Sequence, residues 1–262
     1  MADPTGTPIW FELNTPDPAA AQEFYAAVMD WRFTASTVPE HNGYRMGGPA
    51  EDRPVAGLMS FPDGGGVSGW LVYFSVPDVD AMGEEIARLG GAVRFGPMDI
   101  PHVGRFAVCT DPQNNRFTIM SSLNPDTPSV FAGGGNGSSI GHPVWIELAT
   151  PDPDGAFASY GALFDWRKQG AMPMGEMGEY AFIGHEGKPS IGAIMSSAAT
   201  GAPARWNWYT HVRDIDAAIA TATDQGGKLI QGPDQIPGGD YSANIVDPAG
   251  YQVGLVGPRA AE

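Results

Sequence analysis

The sequence predicts an α+β chain of four strand–helix–three-strand units arranged as two tandem halves. Three observations carry this expectation. The segment Pro8–Arg32 returns at Pro143–Arg167, a constant 135 positions on, with 14 of 25 positions identical. A second pair, at an offset of 136, aligns Trp70 through Asp78-Val79-Asp80 with Trp206 through Asp214-Ile215-Asp216, and later Asp111-Pro112 with Asp247-Pro248. The order is A-B-A′-B′, the signature of an internal repeat. Finally, 36 Gly and 24 Pro, roughly twice the usual share, imply short elements joined by turns and argue against a helical bundle.

Within each unit the local pattern is consistent. Trp10–Asn14 alternates, with Phe11 and Leu13 on one face and Trp10, Glu12 and Asn14 on the other, as a strand with one apolar side does. Thr15-Pro16-Asp17-Pro18 then supplies an N-cap Asp and a Pro at the first helical position. Phe24, Tyr25, Val28 and Met29 follow at helical spacing, so a helix covers the apolar strand face. It ends at Asp30-Trp31, repeated as Asp165-Trp166, where a left-handed C-cap is more often Gly or Asn. Short strand-like runs come next: Tyr44–Met46 and Val55–Phe61 in the first unit, Phe106–Thr110 and Phe117–Ser121 in the second. The expected boundaries are a first domain at 7–124 (units 7–62 and 68–124) and a second at 141–258 (units 141–197 and 204–258). The segment 125–140, with Gly133-Gly134-Gly135-Asn136-Gly137-Ser138-Ser139, has the composition of a flexible linker.

Charge narrows the function. Fourteen Lys and Arg against 30 Asp and Glu leave a net charge of −16, which repels phosphate backbones and anionic headgroups. Nucleic-acid and membrane partners are therefore not expected. Neither an apolar run of membrane-spanning length nor a signal-peptide pattern at Met1-Ala2-Asp3-Pro4 is present. The single cysteine, Cys109, suits a reducing compartment. A cytoplasmic protein is the expectation. No nucleotide-binding glycine loop and no Gly-x-Ser-x-Gly elbow is found.

The strand, the Thr-Pro-Asp-Pro turn, the helix ending in Tyr…Asp-Trp, and the turns Asp111-Pro112-Gln113-Asn114-Asn115 and Asp247-Pro248-Ala249-Gly250-Tyr251 resemble the vicinal oxygen chelate superfamily. That superfamily includes glyoxalase I, bleomycin-resistance proteins and extradiol dioxygenases. The likeness is nearer to two-domain actinobacterial members, which share the Trp-x-Glu-Leu opening and a run like Ile100–Ala107. It covers roughly residues 7–257. What it implies is an eight-strand mixed sheet per domain, curled into a cup with helices outside, that holds a small molecule. A homodimer is compatible with it.

The resemblance also implies a metal in each cup, held from the first and last strands of each unit. Transferred one by one, the ligand positions fall on Trp10, Leu71, Trp145 and Asn207, and on Thr118 and Gly254. Indole is only a donor, and Leu and Gly offer no lone pair. The five histidines, His41, His102, His142, His185 and His211, show no tight ligand spacing. No metal and no cofactor are expected.

Strand alternation then proposes what lines the cups: Trp10, Glu12, Asn14; Leu71, Tyr73, Ser75; Trp145, Glu147; and Asn207, Tyr209, His211. Aromatic walls with a few polar groups are the usual make-up of a small-molecule site. A Glu among aromatics is poised for proton transfer, so Glu12 with Tyr73, and Glu147 with Tyr209 or His211, are candidate acid–base sets. Trp10, Asn14, Leu71, Ser75, Arg105, Thr118, Trp145 and Asn207 are candidate substrate contacts. Plainer roles stand beside these: the two Trp as core plugs, the Glu as satisfied buried carboxylates, His211 as a wall residue, Arg105 as a surface charge, and Cys109 as an inert core residue. Two functional expectations follow. One is a metal-independent enzyme of isomerase, dehydratase, lyase or cyclase type acting on a small aromatic or polyketide-like metabolite. The other is a protein that sequesters a drug or metabolite. A metal-dependent glyoxalase or dioxygenase is the weaker alternative.

Overall fold

The computed structural model describes residues 3–41, 43–60, 68–124, 129–133 and 139–260. The first half runs β1 (Pro8–Asn14), α1 (Pro18–Met29), β2 (Arg32–Ala35), β3 (Arg45–Gly48), β4 (Ala56–Met59), β5 (Gly69–Ser75), α2 (Val79–Arg88), β6 (Ala92–Ile100), β7 (Gly104–Thr110) and β8 (Arg116–Ser122). The second repeats it as β9 (Pro143–Thr150), α3 (Pro153–Phe164), β10 (Arg167–Pro173), β11 (Glu179–Gly184), β12 (Gly192–Ser196), the short α4 (Ser197–Thr200), β13 (Arg205–His211), α5 (Ile215–Asp224), β14 (Lys228–Gln235), β15 (Tyr241–Val246) and β16 (Gln252–Gly257). Four strand–helix–three-strand units are thus present, and α4 is an addition the sequence reading did not foresee. The strands form two eight-stranded mixed sheets, ordered β2-β3-β4-β1-β5-β8-β7-β6 and β10-β11-β12-β9-β13-β16-β15-β14. Of the segment 125–140 read as a linker, residues 125–128 and 134–138 lie outside the described residues, as does Phe61 at the end of the expected Val55–Phe61 run.

The helix signals act as their chemistry requires. Asp17 and Asp152 cap α1 and α3, accepting from the backbone N–H of Ala20 and Gly155, with Pro18 and Pro153 behind them. Asp78 and Asp214 cap α2 and α5 in the same way. Both C-terminal aspartates adopt the left-handed conformation, φ 55° at Asp30 and 54° at Asp165. The reason lies one residue on: that turn drives Trp31 and Trp166 back into the apolar interior, where both are buried.

By internal contacts the chain divides into two compact units that do not follow the sequence halves. One comprises Met1–Ile9, Leu71–Ser129 and Trp145–Asn207; the other comprises Trp10–Trp70, Val130–Val144 and Trp208–Glu262. Each has an aromatic core. In the first, Phe74 packs on Phe164, Trp166 and Trp206 at ring separations of 5.3 to 5.5 Å. In the second, Trp208 meets Phe11 at 4.6 Å and Trp70 at 4.8 Å, and stacks with Trp31.

A buried polar chain runs beside each core. In the first unit Trp206 Nε1 donates to Tyr160 Oη (3.0 Å), which donates to Asp111 Oδ2 (3.1 Å). In the second, Trp70 Nε1 donates to Tyr25 Oη (3.1 Å), which donates to Asp247 Oδ2 (2.9 Å). Among the described residues no helix is long and apolar enough to cross a membrane.

Candidate functional site

β1 buries Phe11 and Leu13 completely, and Phe11 lies against Trp208. Alternation therefore puts Trp10, Glu12 and Asn14 on the opposite face. There Tyr44, from the turn before β3, donates its hydroxyl to Glu12 Oε2 at 2.9 Å, and Trp10 Nε1 donates to Tyr44 Oη at 2.7 Å. Gly57 is the β4 residue paired with Glu12. A Cβ on it would sit 1.8 Å from the Tyr44 hydroxyl, so the phenol lies directly over a glycine. Glu12 is 6% exposed. Burial, and then the charge of Glu12, push the Tyr44 phenol well above its ordinary value, so the phenol stays protonated and is the donor.

The second repeat rebuilds this arrangement. Trp145 Nε1 donates to Tyr180 Oη at 2.8 Å, and Tyr180 donates to Glu147 Oε2 at 2.8 Å. Glu147 is 8% exposed. Sequence reasoning found both Glu and both Trp but missed the two tyrosines. The available signal was the repeat itself, since Tyr44 and Tyr180 stand 136 positions apart.

The remaining expected residues fall as follows. Tyr73 packs its ring on Phe106 at 6.1 Å and is the register partner of Thr118, whose Oγ1 is buried with no hydrogen-bond partner. Leu71 is buried and Ser75 half-buried. Asn207 is buried. Tyr209 accepts from Asn244 Nδ2 at 3.1 Å; Asn244 also bonds Gln231 (2.8 Å) and Gln252 (3.0 Å), a neutral amide group the sequence reading did not find. His211 Nδ1 lies 2.9 Å from Ser139 Oγ, and its Nε2 is 3.8 Å from Asp240. Burial pushes its imidazole down, with Asp240 pulling the other way. Arg105 stands on the face of β7 opposite to Phe106, in ion pairs with Asp80 of α2 (2.8 Å) and Asp99 (2.9 Å). α2 brings Asp80 over that face.

The family model that matches this chain is the Glyoxalase/Bleomycin resistance protein/Dioxygenase superfamily, over residues 7–119 and 140–255, and the chain belongs to that superfamily. Among its relatives is CFP32 of Mycobacterium tuberculosis, provisionally named a glyoxylase, 29% identical over 256 residues that span 97% of this chain and 95% of the relative. Another is the anthracycline biosynthesis protein DnrV of Streptomyces peucetius, 29% identical over 95% of this chain and 92% of its own. Of solved structures, the 2,2′,3-trihydroxybiphenyl 1,2-dioxygenase of Sphingomonas wittichii superimposes with a TM-score of 0.65 at 14% identity, covering 98% of this chain and 91% of that one. The Mn(II)-bound glyoxalase of Novosphingobium aromaticivorans gives 0.64 at 16% identity, covering 97% and 82%. These identities speak to the fold alone.

A divalent metal, the group such a fold implies, does not fit the residues present. At the expected ligand positions Trp10 and Trp145 spend their indole N–H on Tyr44 and Tyr180, and an indole has no lone pair to give. Gly254 is roofed by the Tyr209 ring, which a Cβ there would meet at 2.1 Å. Leu71 offers no donor atom, and Asn207 and Thr118 offer only neutral oxygens, a poor set for a cation that selects defined anionic or imidazole ligands. Among the described residues no group of three His, Cys, Asp or Glu could hold a metal ion.

Proposed function

We propose that this chain is a metal-independent member of its superfamily that acts on a small aromatic or polyketide-like metabolite by acid–base chemistry, of isomerase, dehydratase, lyase or cyclase type. The observation that carries the reading is the Trp–Tyr–Glu chain, present in both repeats with each Glu nearly buried. A carboxylate held beside a neutral phenol is placed to accept a proton from a ligand. It can take a proton from one ligand atom and return it to another, which isomerises the ligand, or assist loss of water or another group. The tyrosine hydroxyl steadies the anionic form and orients it. Tyr73, Tyr209 and His211 are the partners proposed to polarise a carbonyl or hydroxyl. The anthracycline biosynthesis names of two Streptomyces relatives support the polyketide class.

The test uses aromatic polyketide aglycones as substrates, with product followed by mass spectrometry, for wild type, Glu12→Gln and Glu147→Gln. At least one substitution should cost about 10²–10⁴-fold in turnover, the usual worth of a positioned acid or base. Chelator should change nothing. Unchanged turnover in both variants overturns the acid–base role, and about one equivalent of bound metal per repeat overturns metal independence. A sequestering protein is the second reading, favoured by the half-buried Trp10 and Trp145 and the net charge of −16, which suit an apolar or cationic ligand. It predicts tight binding with the ligand recovered intact.

A further inference from the structure

The two repeats share the Trp–Tyr–Glu chain but part company two residues further along the strand. Asn14 ends β1 on the face that carries Trp10 and Glu12; its counterpart on β9 is Ala149. Asn14 is 2% exposed, and neither its Oδ1 nor its Nδ2 has a hydrogen-bond partner. Among the described residues it is the one side chain with two orphaned polar atoms. Buried polar groups are nearly always paired, because a group taken from water with nothing in exchange destabilises the fold. Ala149 shows that the fold itself accepts a small apolar residue at this point of the repeat. Thr118 makes the same contrast independently: its hydroxyl is 0% exposed and unpartnered, while its counterpart Gly254 has no side chain at all. In both cases the polar group with nothing to bond belongs to the first repeat.

We propose that Asn14 is a specificity-determining residue of the Glu12 site, and that its carboxamide pairs with a neutral ligand edge carrying a donor and an acceptor side by side, as a primary amide or lactam does. This rests on the reading of the Glu12–Tyr44 face as the ligand site. The chemistry selects the edge. A carboxamide offers one acceptor oxygen and two N–H donors, and only a ligand with both functions satisfies both of its ends. An ammonium leaves Nδ2 unpaired. A carboxylate leaves Oδ1 unpaired, and it also places a second anion near Glu12, about 7 Å along the same strand face. With Ala149 in the corresponding place, the Glu147 site makes no such distinction.

The experiment compares two probes of the same shape, naphthalene-2-carboxamide and 2-acetylnaphthalene, which keeps the acceptor and replaces the N–H donors by a methyl group. Affinities are measured by ligand-observed NMR on wild type, Asn14→Ala and Trp10→Ala, and thermal midpoints on wild type and the near-isosteric Asn14→Leu. Wild type should bind the amide roughly tenfold more tightly, the worth of one or two net hydrogen bonds. Asn14→Ala should bring that ratio to about one, because the amide loses two partners and the ketone only one. Asn14→Leu should melt at or above the wild-type midpoint, since it removes unsatisfied groups without removing bulk. Equal wild-type affinities that both fall in Trp10→Ala leave the ligand site standing and overturn the role of Asn14. An unchanged ratio in Asn14→Ala, or a midpoint lowered by more than about 5 °C in Asn14→Leu, overturns it as well. If neither probe binds wild type, the reading of this face as a ligand site falls, and the role of Asn14 with it.

Discussion

Replacing Tyr160 by Phe removes one oxygen from the centre of a buried chain, and the cost can be worked from its neighbours. Tyr160 is 0% exposed. Burial and the charge of Asp111 hold its phenol well above the ordinary value, so in the native protein it is always a donor. Without it, Asp111 keeps three other donors, the backbone N–H of Gln113 and Asn115 and the Asn115 side chain, so the carboxylate is not stranded. What is lost is one hydrogen bond to a charged acceptor, about 1.5–3 kcal/mol, and the acceptor of Trp206 Nε1, about 1 kcal/mol or more once that N–H is buried and unpaired. The sum is about 2.5–4 kcal/mol, which for a chain of this size lowers the thermal midpoint by roughly 5–16 °C. Tyr25→Phe removes the equivalent oxygen between Trp70 and Asp247 and should cost the same. The two chains share no partner, so the double variant should show the sum of the two losses within about 0.5 kcal/mol. Urea denaturation at 25 °C, followed by circular dichroism with unchanged slope, gives the numbers. Probe binding at 10 °C should match wild type, because neither tyrosine lies in a Trp–Tyr–Glu chain. A loss below about 0.5 kcal/mol in either single variant, the level of an ordinary surface change, would refute the reasoning.

Two further outcomes follow from buried titratable groups. The His211 imidazole is pushed below its ordinary 6.5 by burial, so the unfolded chain binds that proton more readily than the folded one. The stability this residue contributes is therefore complete above pH 6.5 and is lost as the pH falls through the lower folded value. Wild type should lose more stability between pH 7.5 and pH 5 than His211→Asn does; equal losses in urea titrations would count against it. Cys109 is fully buried and its thiol is pushed up to about 12, so iodoacetamide should leave it unmodified in the native protein and alkylate it fully in urea. Rapid native labelling seen by mass spectrometry would show the strand opening more readily than its packing allows.

Much of the fold was legible because it rests on neighbours close in sequence. The Asp caps of α1 and α3, the left-handed Asp30 and Asp165, and the two faces of β1 each depend on residues within about four positions. The edge strands were harder to see. β2, β6, β10 and β14 end their sheets and are largely exposed, so they lack the apolar alternation that marks a half-buried strand. Arg105 was a candidate ligand contact in the sequence, and only the placement of α2 shows it held by Asp80 on the other face of β7 from Phe106.

The candidate site was half legible. Glu12, Trp10 and Asn14 declare themselves through strand alternation, but Tyr44 lies 32 residues from Glu12, and Tyr180 lies 33 from Glu147. The sheet brings them together, and over the first pair a glycine clears the space the phenol occupies. By itself, then, the sequence determined the repeat, the four units, the caps and which side chains share a strand face, since periodicity and capping are local chemistry. Only the tertiary structure decided which tyrosine meets which acid. Tyr25 bonds Asp247 of the last unit, and Tyr160 bonds Asp111 of the second. In a chain of near-copies either pairing is chemically equivalent residue by residue, and only the packing of the units selects between them.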